Sequence, residues 1–557
     1  MLQFPEIDTE VRAMRAKIVS SLEKCFSDEQ IDSKKELKEF SLLLDEIYSF
    51  QMCFTDETPG YWQLSIESPL APFINVFRVR SVYSALPVYP DNHDDDYLRL
   101  KPGMYPDLLE PMDGHFFHAG RDLNALWFEI DRIPDGHSGY YPIKLILKRD
   151  GQEIDLLAGA TVIPKKLPAQ DLVFTQWFYV DCLMDRYGIR EYNDELFEVI
   201  RRFVANAAKY GQNMILTPVL SPSLDTAVGT YRPNVQLADV AVNGGEYSFG
   251  FEKLGRFVDI CLSEGIRFFE VNHFFTQWGA AACPQVYATV DGEYRRIFGW
   301  DTPSDSPEYK KFLSKLIPAL ISYMRDVKNG ADKLLYFHIS DEPGADHLDK
   351  YRELSDFIKP LISGRPVMDA LSNFDFYKQG LVDIPVSCVD HAGPFVEDHV
   401  DPLWVYYCCG QTQNVSNRFF DMPSYRNRVL GTQMWISSVK GFLQWGYNFY
   451  NSQFSLYRID PFLVSDGDGF SPSGDTYSVY PGPCGVPYPS LREVVFSEGL
   501  QDMRALSLLE SYIGREKVID IIDGISGGVP VTLSSYPKNT DFILALREKV
   551  NALLNEL

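Results

Sequence analysis

The acidic pair Asp341-Glu342 is the feature of this sequence with the clearest chemical potential. It follows residues 334–340, an apolar run typical of a buried strand, and Pro343 comes directly after it. Charged groups are costly inside a protein, but they are tolerated at the carboxyl end of a barrel strand, where catalytic residues lie. We expect Pro343 to end the strand and to hold Glu342 in extended backbone geometry, so that both acids stay near one point.

Two adjacent carboxyl groups can supply a proton donor and an anion at the same place. Ionisation of one raises the pKa of the other, so near neutral pH a protonated acid would stand beside a carboxylate. Hydrolysis of a glycosidic bond uses that combination. The pair also has a structural interpretation, in which two solvated acids cap a helix predicted over residues 346–361. The motif alone leaves both interpretations open.

The spacing of the pair limits the mechanism. Carboxylates on consecutive residues seldom straddle a sugar ring with the separation that a two-carboxylate displacement requires, so another nucleophile is needed. A substrate with a 2-acetamido group can supply its own carbonyl oxygen. One carboxylate then orients the amide, while the other acts as acid and base.

Other aromatic and polar residues stand at or near the ends of predicted strands, where they could contact a substrate. The candidate substrate-binding residues are Trp177, Asn272, His273, His338, Tyr406, Trp445 and Tyr447. Each has a structural alternative in core packing, and His338 in particular could be a hydrogen-bonded core histidine. Asp390 and His391 follow the sixth predicted strand and are further candidates for the rim of the site.

The sequence predicts no metal site and no cofactor. Imidazole and carboxylate groups near strand ends could in principle bind a metal: His273, His338, Asp341 and Glu342. However, no closely spaced histidine pair supports that arrangement. Asp466 and Asp468 lack the twelve-residue pattern of a calcium loop, and no Gly-x-Ser-x-Gly elbow or phosphate-binding Walker loop is present.

The elements that must position these residues follow a strand–helix rhythm after residue 168. Eight apolar runs are predicted as strands, at 172–178, 214–219, 266–272, 334–340, 366–371, 385–389, 404–409 and 442–446. Amphipathic segments between or after them predict helices at 194–210, 251–265, 306–328, 346–361, 424–439 and 491–512. We therefore predict a (β/α)₈ TIM-like barrel over residues 169–512. A doubly wound sheet is the alternative, but the first strand lacks a glycine-rich phosphate turn.

The segments outside the barrel have different patterns. Residues 1–50 carry apolar residues at a spacing of three and four, which predicts a short N-terminal helical segment. Residues 51–168 contain short alternating runs separated by Pro, Gly and Asp, which predicts an all-β sandwich domain. Residues 513–557 are predicted to form a C-terminal tail of helix and short strand.

The composition excludes several classes of partner. With a net charge of −25, 45% hydrophobic residues and a mean hydropathy of −0.17, the chain has the composition of a globular protein and is not expected to bind nucleic acid or membranes.

Nine cysteines without framework spacing are expected to be mostly buried free thiols. The first twenty residues lack an apolar signal segment, which favours a cytoplasmic protein, although an exported protein trimmed of its leader would begin in the same way. The oligomeric state is left open.

Several short motifs, in a fixed order, resemble glycoside hydrolase family 123. They are HISDEP at 338–343, LQWGY at 443–447, GDG at 467–469, YPG at 480–482, SLR at 490–492 and EGLQD at 498–502, preceded by YPDLL at 105–109. The resemblance covers roughly residues 60–512. Its characterised members are β-N-acetylgalactosaminidases that cleave glycans by retaining, substrate-assisted hydrolysis.

The resemblance assigns roles to the acidic pair. It implies that Asp341 orients the acetamido group and that Glu342 is the general acid and base. Two other functions remain as alternatives from the sequence: a non-catalytic carbohydrate-binding or scaffold protein, and a glycosidase for sugars without an acetamido group that uses another carboxylate as nucleophile.

Overall fold

The N-terminal part of the protein consists of two facing β-sheets. The computed structural model describes residues 14–230 and 232–557. The first ten strands are β1 (Arg15–Ser20), β2 (Glu39–Leu44), β3 (Tyr48–Thr55), β4 (Gly60–Glu67), β5 (Ile74–Ser84), β6 (Gly103–Pro111), β7 (Phe116–Ala119), β8 (Asn124–Ile130), β9 (Gly139–Arg149) and β10 (Gln152–Lys166). They form two five-stranded sheets, ordered β1-β3-β8-β5-β6 and β2-β10-β9-β4-β7. Phe50 of the first sheet and Trp62 of the second belong to one buried apolar cluster, so the sheets pack face to face.

The N-terminal helical segment predicted for residues 1–50 is wrong where the structure describes it. Residues 1–13 lie outside the described part, and residues 15–50 contain β1, β2 and the start of β3. Strand β2 is buried on both faces, because Leu42 packs into the core between the sheets and Leu43 packs in a second cluster with residues of the C-terminal helix Thr540–Glu556. A strand covered on both sides loses the polar–apolar alternation that identifies a strand in sequence.

The remaining strands lie between residues 173 and 489. They are β11 (Val173–Gln176), β12 (Met214–Thr217), β13 (Asp239–Asn243), β14 (Glu246–Gly250), β15 (Phe268–Val271), β16 (Val286–Val290), β17 (Glu293–Phe298), β18 (Leu335–Phe337), β19 (Met368–Ala370), β20 (Ile384–Cys388), β21 (Trp404–Tyr406), β22 (Gly441–Gln444), β23 (Val479–Pro481) and β24 (Pro487–Pro489). Eight of them form one all-parallel sheet in the order β18-β15-β12-β11-β22-β21-β20-β19. These eight are the eight predicted barrel strands.

The eight-stranded sheet closes into a barrel between β18 and β19. A single parallel bridge joins Phe337 to Val367 at this seam, and the amide of Phe337 donates to the carbonyl of Pro366 at 3.0 Å. Above the bridge, the Asp369 carboxylate accepts hydrogen bonds from the backbone amides of Ile339, at 3.1 and 3.2 Å, and Ser340, at 3.4 Å. A side chain therefore takes the place of ladder bonds on this side of the barrel.

Helices surround the barrel and form the C-terminal part of the chain. They are α1 (Val180–Tyr187), α2 (Asp194–Lys209), α3 (Glu252–Ser263), α4 (Gln277–Ala280), α5 (Pro307–Asp326), α6 (Leu348–Ile358), α7 (Phe374–Lys378), α8 (Gly393–Glu397), α9 (Ser424–Arg428), α10 (Leu430–Ile436), α11 (Leu491–Ile513), α12 (Arg515–Ile525) and α13 (Thr540–Glu556). Of these, α4 is an irregular turn. Asn193, Ser306 and Ser490 cap α2, α5 and α11, since each side chain accepts a backbone amide of the first turn. Among the described residues, no helix is long and apolar enough to cross a membrane.

A small four-stranded sheet, ordered β14-β13-β16-β17, is inserted in the loops that follow β12 and β15. This sheet was not predicted from the sequence, because its strands are short and partly exposed and lie next to segments with a strong helical pattern. The insertion places additional loops near the carboxyl ends of the barrel strands. The neighbouring loops 218–238 and 272–285 contribute to the cleft described next.

Candidate active site

A cleft with about 740 Å³ of space, part of it open to solvent, lies at the carboxyl ends of the barrel strands. Its lining combines aromatic side chains with a few polar groups, as in small-molecule and carbohydrate sites. The lining residues are Trp177, Tyr179, Leu224, Asp225, Gln277, Trp278, Asp341, Glu342, Ala370, Tyr406, Cys408, Cys409, Leu443, Trp445, Gln453 and Phe470.

Glu342 lies in the cleft with three donors near its carboxylate, of which the Cys408 thiol, 4.0 Å from Oε1, is the weakest. The Tyr406 hydroxyl donates to Oε1 at 2.7 Å, and the Trp278 indole N–H points to Oε2 at 3.5 Å. The backbone of Glu342 is left-handed, with φ of 43°, so the extended geometry expected from Pro343 is wrong. Its amide donates to the carbonyl of Ala370 at 2.9 Å, which ties the residue across the seam. Such backbone strain in a non-glycine residue is typical of functional sites, where the surrounding contacts hold it.

Asp341 lies in the same cleft but has a different environment. Its carbonyl accepts the amide of Trp278 at 3.0 Å, while its carboxylate has no hydrogen-bond partner among the described residues. Burial, followed by the charge of Glu342, raises the pKa of Asp341 well above its ordinary value, and the charge of His338 opposes this. The raised pKa expected for one member of the pair is therefore found at Asp341. The unpaired carboxylate is free to accept a donor from a bound molecule.

A fully buried charge network lies under the pair. His338 is held between two buried carboxylates, with Nδ1 at 2.8 Å from Asp369 and Nε2 at 2.6 Å from Glu270. Burial lowers the pKa of His338, but the hydrogen bonds to Asp369 and Glu270 outweigh it and raise that pKa to about 9. The neighbouring His273 ring stacks on His338 at 3.9 Å, and burial together with the His338 charge brings the pKa of His273 well below its ordinary value. His338 is thus a cation that neutralises part of the negative charge beneath the cleft.

The same network fixes one aromatic wall of the cleft. The Trp177 indole N–H donates to Glu270 Oε1 at 2.6 Å, and the Thr175 hydroxyl donates to Glu270 Oε2 at 2.7 Å. On another wall, the Trp445 indole N–H donates to Asp475 Oδ2 at 3.0 Å. Each indole is therefore held in orientation by a buried carboxylate, with its ring available to the cleft.

The structure brings together only part of the predicted substrate-binding set. Trp177, Tyr406 and Trp445 line the cleft with Asp341 and Glu342. The other four predicted residues are buried and do not line it, so their placement gives no support to substrate contact: Asn272, His273, His338 and Tyr447.

Tyr447 and Asn272 have clear structural roles instead. The Tyr447 hydroxyl donates to the carbonyl of Phe203 at 2.9 Å and lies in the main apolar core. The Asn272 side chain accepts the amide of Leu220 at 2.9 Å and donates to the carbonyl of His273 at 3.2 Å, which shapes two loop ends. Residues at strand ends face either the cleft or the barrel wall, and their order in sequence does not separate these two cases.

Within residues 14–230 and 232–557, two groups of side chains have ligand atoms close enough together to hold a metal ion. One consists of His273, His338 and Asp369, and it is entirely buried. Both nitrogens of His338 already bind carboxylates, so this group has no free imidazole nitrogen on that ring. The second group consists of Cys388, Asp390 and His391, at the end of β20. Asp390 and His391, predicted as rim residues, are not part of the cleft lining.

Several cleft residues were not predicted from sequence. Asp225, Gln277, Trp278 and Gln453 lie in long loops after β12, β15 and β22, and the acids Glu270 and Asp369 lie inside barrel strands. A charged residue in the middle of an apolar strand was the available signal for Glu270 and Asp369. The loop residues gave no such signal, because their position depends on how three separate loops meet.

Comparisons with known proteins identify the family of the chain. The sequence matches the family described as "Glycoside hydrolase 123, catalytic domain" over residues 177–509. A family 123 glycoside hydrolase from Clostridium perfringens, studied for glycolipid glycan hydrolysis, has a similar structure with a TM-score of 0.72 and 11% identity, covering 98% of each chain.

More distant barrel proteins are also similar over parts of the chain. An endo-β-1,4-mannanase from Thermotoga petrophila gives a TM-score of 0.34 at 13% identity, covering 60% of this chain and 77% of its own. A β-glucuronidase from Parabacteroides merdae gives 0.31 at 11% identity, covering 87% of this chain and 53% of its own. No curated protein matches the sequence. The family match spans more than half of the chain and contains Asp341 and Glu342, so this protein is a glycosidase that belongs to glycoside hydrolase family 123.

Proposed function

We propose that the protein is a retaining, β-N-acetylgalactosaminidase-like enzyme in which the 2-acetamido group of the substrate is the nucleophile. The observation that carries this proposal is the contrast between two adjacent acids: Glu342 has three donors, whereas the Asp341 carboxylate has none among the described residues. An amide N–H of the substrate would supply the missing donor. The choice of N-acetylgalactosamine comes from the family resemblance.

In the first half of the proposed reaction, Asp341 accepts the acetamido N–H and aligns the amide. The amide carbonyl oxygen attacks the anomeric carbon as the bond to the leaving oxygen breaks. Glu342 donates its proton to that oxygen, so the leaving group departs as a neutral alcohol and an oxazoline-type intermediate remains. In the second half, Glu342 accepts a proton from water and the water oxygen attacks the anomeric carbon from the face of the departed group. The bond from that carbon to the amide oxygen breaks, which restores the acetamido group. Configuration is retained.

The free cleft favours a proton on Asp341, because burial and the Glu342 charge raise the pKa of Asp341. A bound acetamido N–H would stabilise the Asp341 anion, since a hydrogen bond to the charged form favours that form. Substrate binding would in this way convert Asp341 to the anion that the first step uses.

The aromatic walls support a sugar as the ligand. Trp177 and Trp445 line the cleft and are held by Glu270 and Asp475, respectively. Fixed indole rings offer apolar faces to the C–H face of a pyranose at little cost in side-chain entropy. The two carboxylates that fix the rings are already hydrogen-bonded and are not needed for chemistry.

A stable thiazoline analogue of the oxazoline intermediate tests the proposal. If the acetamido group is the nucleophile, we expect the galacto-configured thiazoline to inhibit competitively and to bind at least about 100-fold more tightly than the sugar product, as intermediate analogues do. Inhibition constants measured against a chromogenic 2-acetamido galactoside check this. Hydrolysis of that substrate without any inhibition would contradict assistance by the acetamido group.

Asp225 supports a second candidate, a glycosidase for sugars without an acetamido group. Besides the pair, it is the one carboxylate that lines the cleft in the described part of the chain. It could act as the nucleophile of a two-carboxylate mechanism. Thiazoline insensitivity, combined with loss of activity in Asp225→Asn but not in Asp341→Asn, would favour this candidate.

Tyr406 supplies the stronger donor to Glu342, and its removal has a predictable effect. Tyr406→Phe keeps the ring but deletes the hydroxyl that lies 2.7 Å from Glu342 Oε1. A hydrogen bond to a charged group contributes about 1.5–3 kcal/mol, so we expect kcat/KM to fall by about 10- to 100-fold. Steady-state kinetics with a chromogenic 2-acetamido galactoside measure the effect, and Tyr407→Phe, one residue further along, is the matched control. Equal effects of the two substitutions would contradict a role for the Tyr406 hydroxyl.

A further inference from the structure

Three side chains of metal-ligating types lie together at the end of the sixth barrel strand, outside the cleft lining. They belong to Cys388, the last residue of β20, and to Asp390 and His391, which follow it. A thiol sulfur, a carboxylate oxygen and an imidazole nitrogen of these residues lie within 4.8 Å of one another. A tight turn brings them together, because the amide of His391 donates to the carbonyl of Cys388 at 3.0 Å.

The three ligand types fit Zn²⁺ better than a hard cation. Zn²⁺ takes thiolate, imidazole and carboxylate ligands at about 2.0–2.3 Å in a tetrahedral arrangement, whereas Mg²⁺ and Ca²⁺ prefer oxygen ligands. Asp390 Oδ1 and His391 Nδ1 are 2.8 Å apart. Two tetrahedral ligands of one Zn²⁺ are about 3.3 Å apart, so a small movement of the exposed His391 ring would admit the ion. Three protein ligands leave a fourth position for water.

The surroundings of the three residues provide both access and support. The Cys388 side chain is buried, while those of Asp390 and His391 are partly exposed and form the path from solvent. Gln411 Nε2 lies 3.3 and 3.4 Å from the two oxygens of Asp390 and donates to them. Hydrogen bonds of this kind orient metal-binding side chains and strengthen metal affinity.

Tyr406 connects this group of residues to the acid–base residue of the cleft. Cys388 is the in-register partner of Tyr406 in the β20–β21 pair, so the two side chains lie on the same side of the sheet. The Cys388 thiol is a hydrogen-bonding neighbour of the Tyr406 hydroxyl. That hydroxyl donates to Glu342 Oε1 at 2.7 Å. A single side chain therefore separates Cys388 from Glu342.

We infer that Cys388, Asp390 and His391 form a binding site for Zn²⁺ and that the bound ion inhibits the enzyme. Zn²⁺ replaces the thiol proton of Cys388, which leaves to solvent, and a zinc-bound thiolate forms. The thiolate accepts hydrogen bonds more strongly than a thiol, and Tyr406 has only one hydroxyl proton to donate. When that proton turns towards Cys388, Glu342 loses its nearest donor. The inhibition rests on the proposed function, because it acts on Glu342 as the acid–base residue, whereas binding of the ion does not.

Isothermal titration calorimetry of the full-length protein with Zn²⁺ tests the site without a substrate. His391→Ala should weaken Zn²⁺ binding by at least about 10-fold, since a lost ligand should cost no less than a lost outer-shell partner. His399→Ala, at a second exposed histidine between β20 and β21, is the matched control and should leave the affinity unchanged. The site is rejected if the wild-type protein binds no Zn²⁺ or if His391→Ala binds it as tightly as the wild type.

Co²⁺ as a substitute for Zn²⁺ shows whether the thiol is a ligand. A Co²⁺ ion bound to a thiolate gives a charge-transfer absorption in the near ultraviolet, which we expect for the wild-type protein and not for Cys388→Ser. Cys484→Ser, at an exposed thiol elsewhere, should keep the absorption. If the signal persists in Cys388→Ser, Cys388 is not a ligand. Thermal unfolding shows whether Cys388→Ser is folded, and if it is not, the titration of His391→Ala still decides.

Kinetics with a chromogenic 2-acetamido galactoside measure the inhibition. Saturating Zn²⁺ should lower kcat/KM by about 10-fold, the lower end of the effect of losing the hydrogen bond from Tyr406 to Glu342, and a chelator should restore it. Tyr406→Phe has already lost that bond, so Zn²⁺ should bind to this variant without lowering its remaining activity. Equal inhibition of Tyr406→Phe and the wild type would contradict the route through Tyr406. Zn²⁺ binding without inhibition of the wild type would contradict the inhibitory role.

Failure of the proposed function would give a different set of results. In that case the wild-type protein would not hydrolyse the galactoside, or the thiazoline would not inhibit it. The calorimetric titration and the Co²⁺ absorption need no substrate, so they would still detect the ion at Cys388, Asp390 and His391.

Discussion

Glu342→Gln is expected to lower kcat for glycosides with poor leaving groups by about 10²- to 10⁴-fold, the usual contribution of a general acid–base residue. The amide is isosteric with the carboxyl group and can keep the contacts with Tyr406 and Trp278, but it can neither donate a proton to the leaving oxygen nor accept one from water. Steady-state and single-turnover kinetics with a disaccharide measure the loss.

The leaving group provides an internal control for this variant. For a substrate whose leaving group needs no proton, such as fluoride or dinitrophenolate, the rate of the first step should fall much less. Binding of the thiazoline should remain measurable, because Asp341 still orients the acetamido group. If the rate of this variant fell equally for all substrates, or fell for none, the assignment of Glu342 as the acid–base residue would be contradicted.

Asp341→Asn is expected to lower kcat by about 10²- to 10³-fold for every 2-acetamido glycoside, whatever the leaving group. Asparagine can still accept the amide N–H, but it lacks the negative charge that stabilises the positive charge developing on the oxazoline. The thiazoline should also bind less tightly to this variant. Inhibition constants and kcat for the fluoride and the disaccharide check the prediction, which fails if only poor leaving groups are affected.

The pH dependence of the same variant provides an independent measurement. Wild-type activity should fall as pH decreases through the raised pKa of Asp341, because the anion is the active form, and Asp341→Asn should lose this acidic limb. The effect on stability has the opposite sign. A carboxyl group with a raised pKa in the folded state destabilises the fold as pH rises above its ordinary value of 3.8, so Asp341→Asn should unfold at a higher temperature near pH 7. Below about pH 3.8 that difference should disappear.

The barrel could be predicted from sequence because its signals are local. Each of its strands is a short apolar run, and each longer helix has one apolar face, so the alternation itself identifies the parallel sheet. Strand β2 and the inserted strands β13, β14, β16 and β17, all outside the barrel, could not be predicted in the same way. Tertiary contacts decide their structure, since α13 and the facing sheet bury both sides of β2.

The site shows the same division between local and long-range information. Asp341 and Glu342 were identifiable because two acids and a proline interrupt an apolar strand. Trp278 and Asp225 were not, because their place in the cleft depends on loops that meet only in the folded chain. The backbone of Glu342 is a further case: the preference of a residue before proline for extended geometry is overridden by its contacts with Ala370, Tyr406 and Trp278.

The seam between β18 and β19 has a consequence for how the protein responds to ligands. One bridge, the Asp369 carboxylate and the Glu342 amide join the strands there, so brief separation of the barrel wall should require less free energy at this place than at the fully laddered strand pairs. Both acids lie immediately above this join. A molecule that binds both acids would hold the ends of the two strands together. Because it binds the closed barrel more tightly than the open one, its binding would stabilise the closed barrel. Occupancy of the cleft and integrity of the cylinder are therefore coupled equilibria in this enzyme.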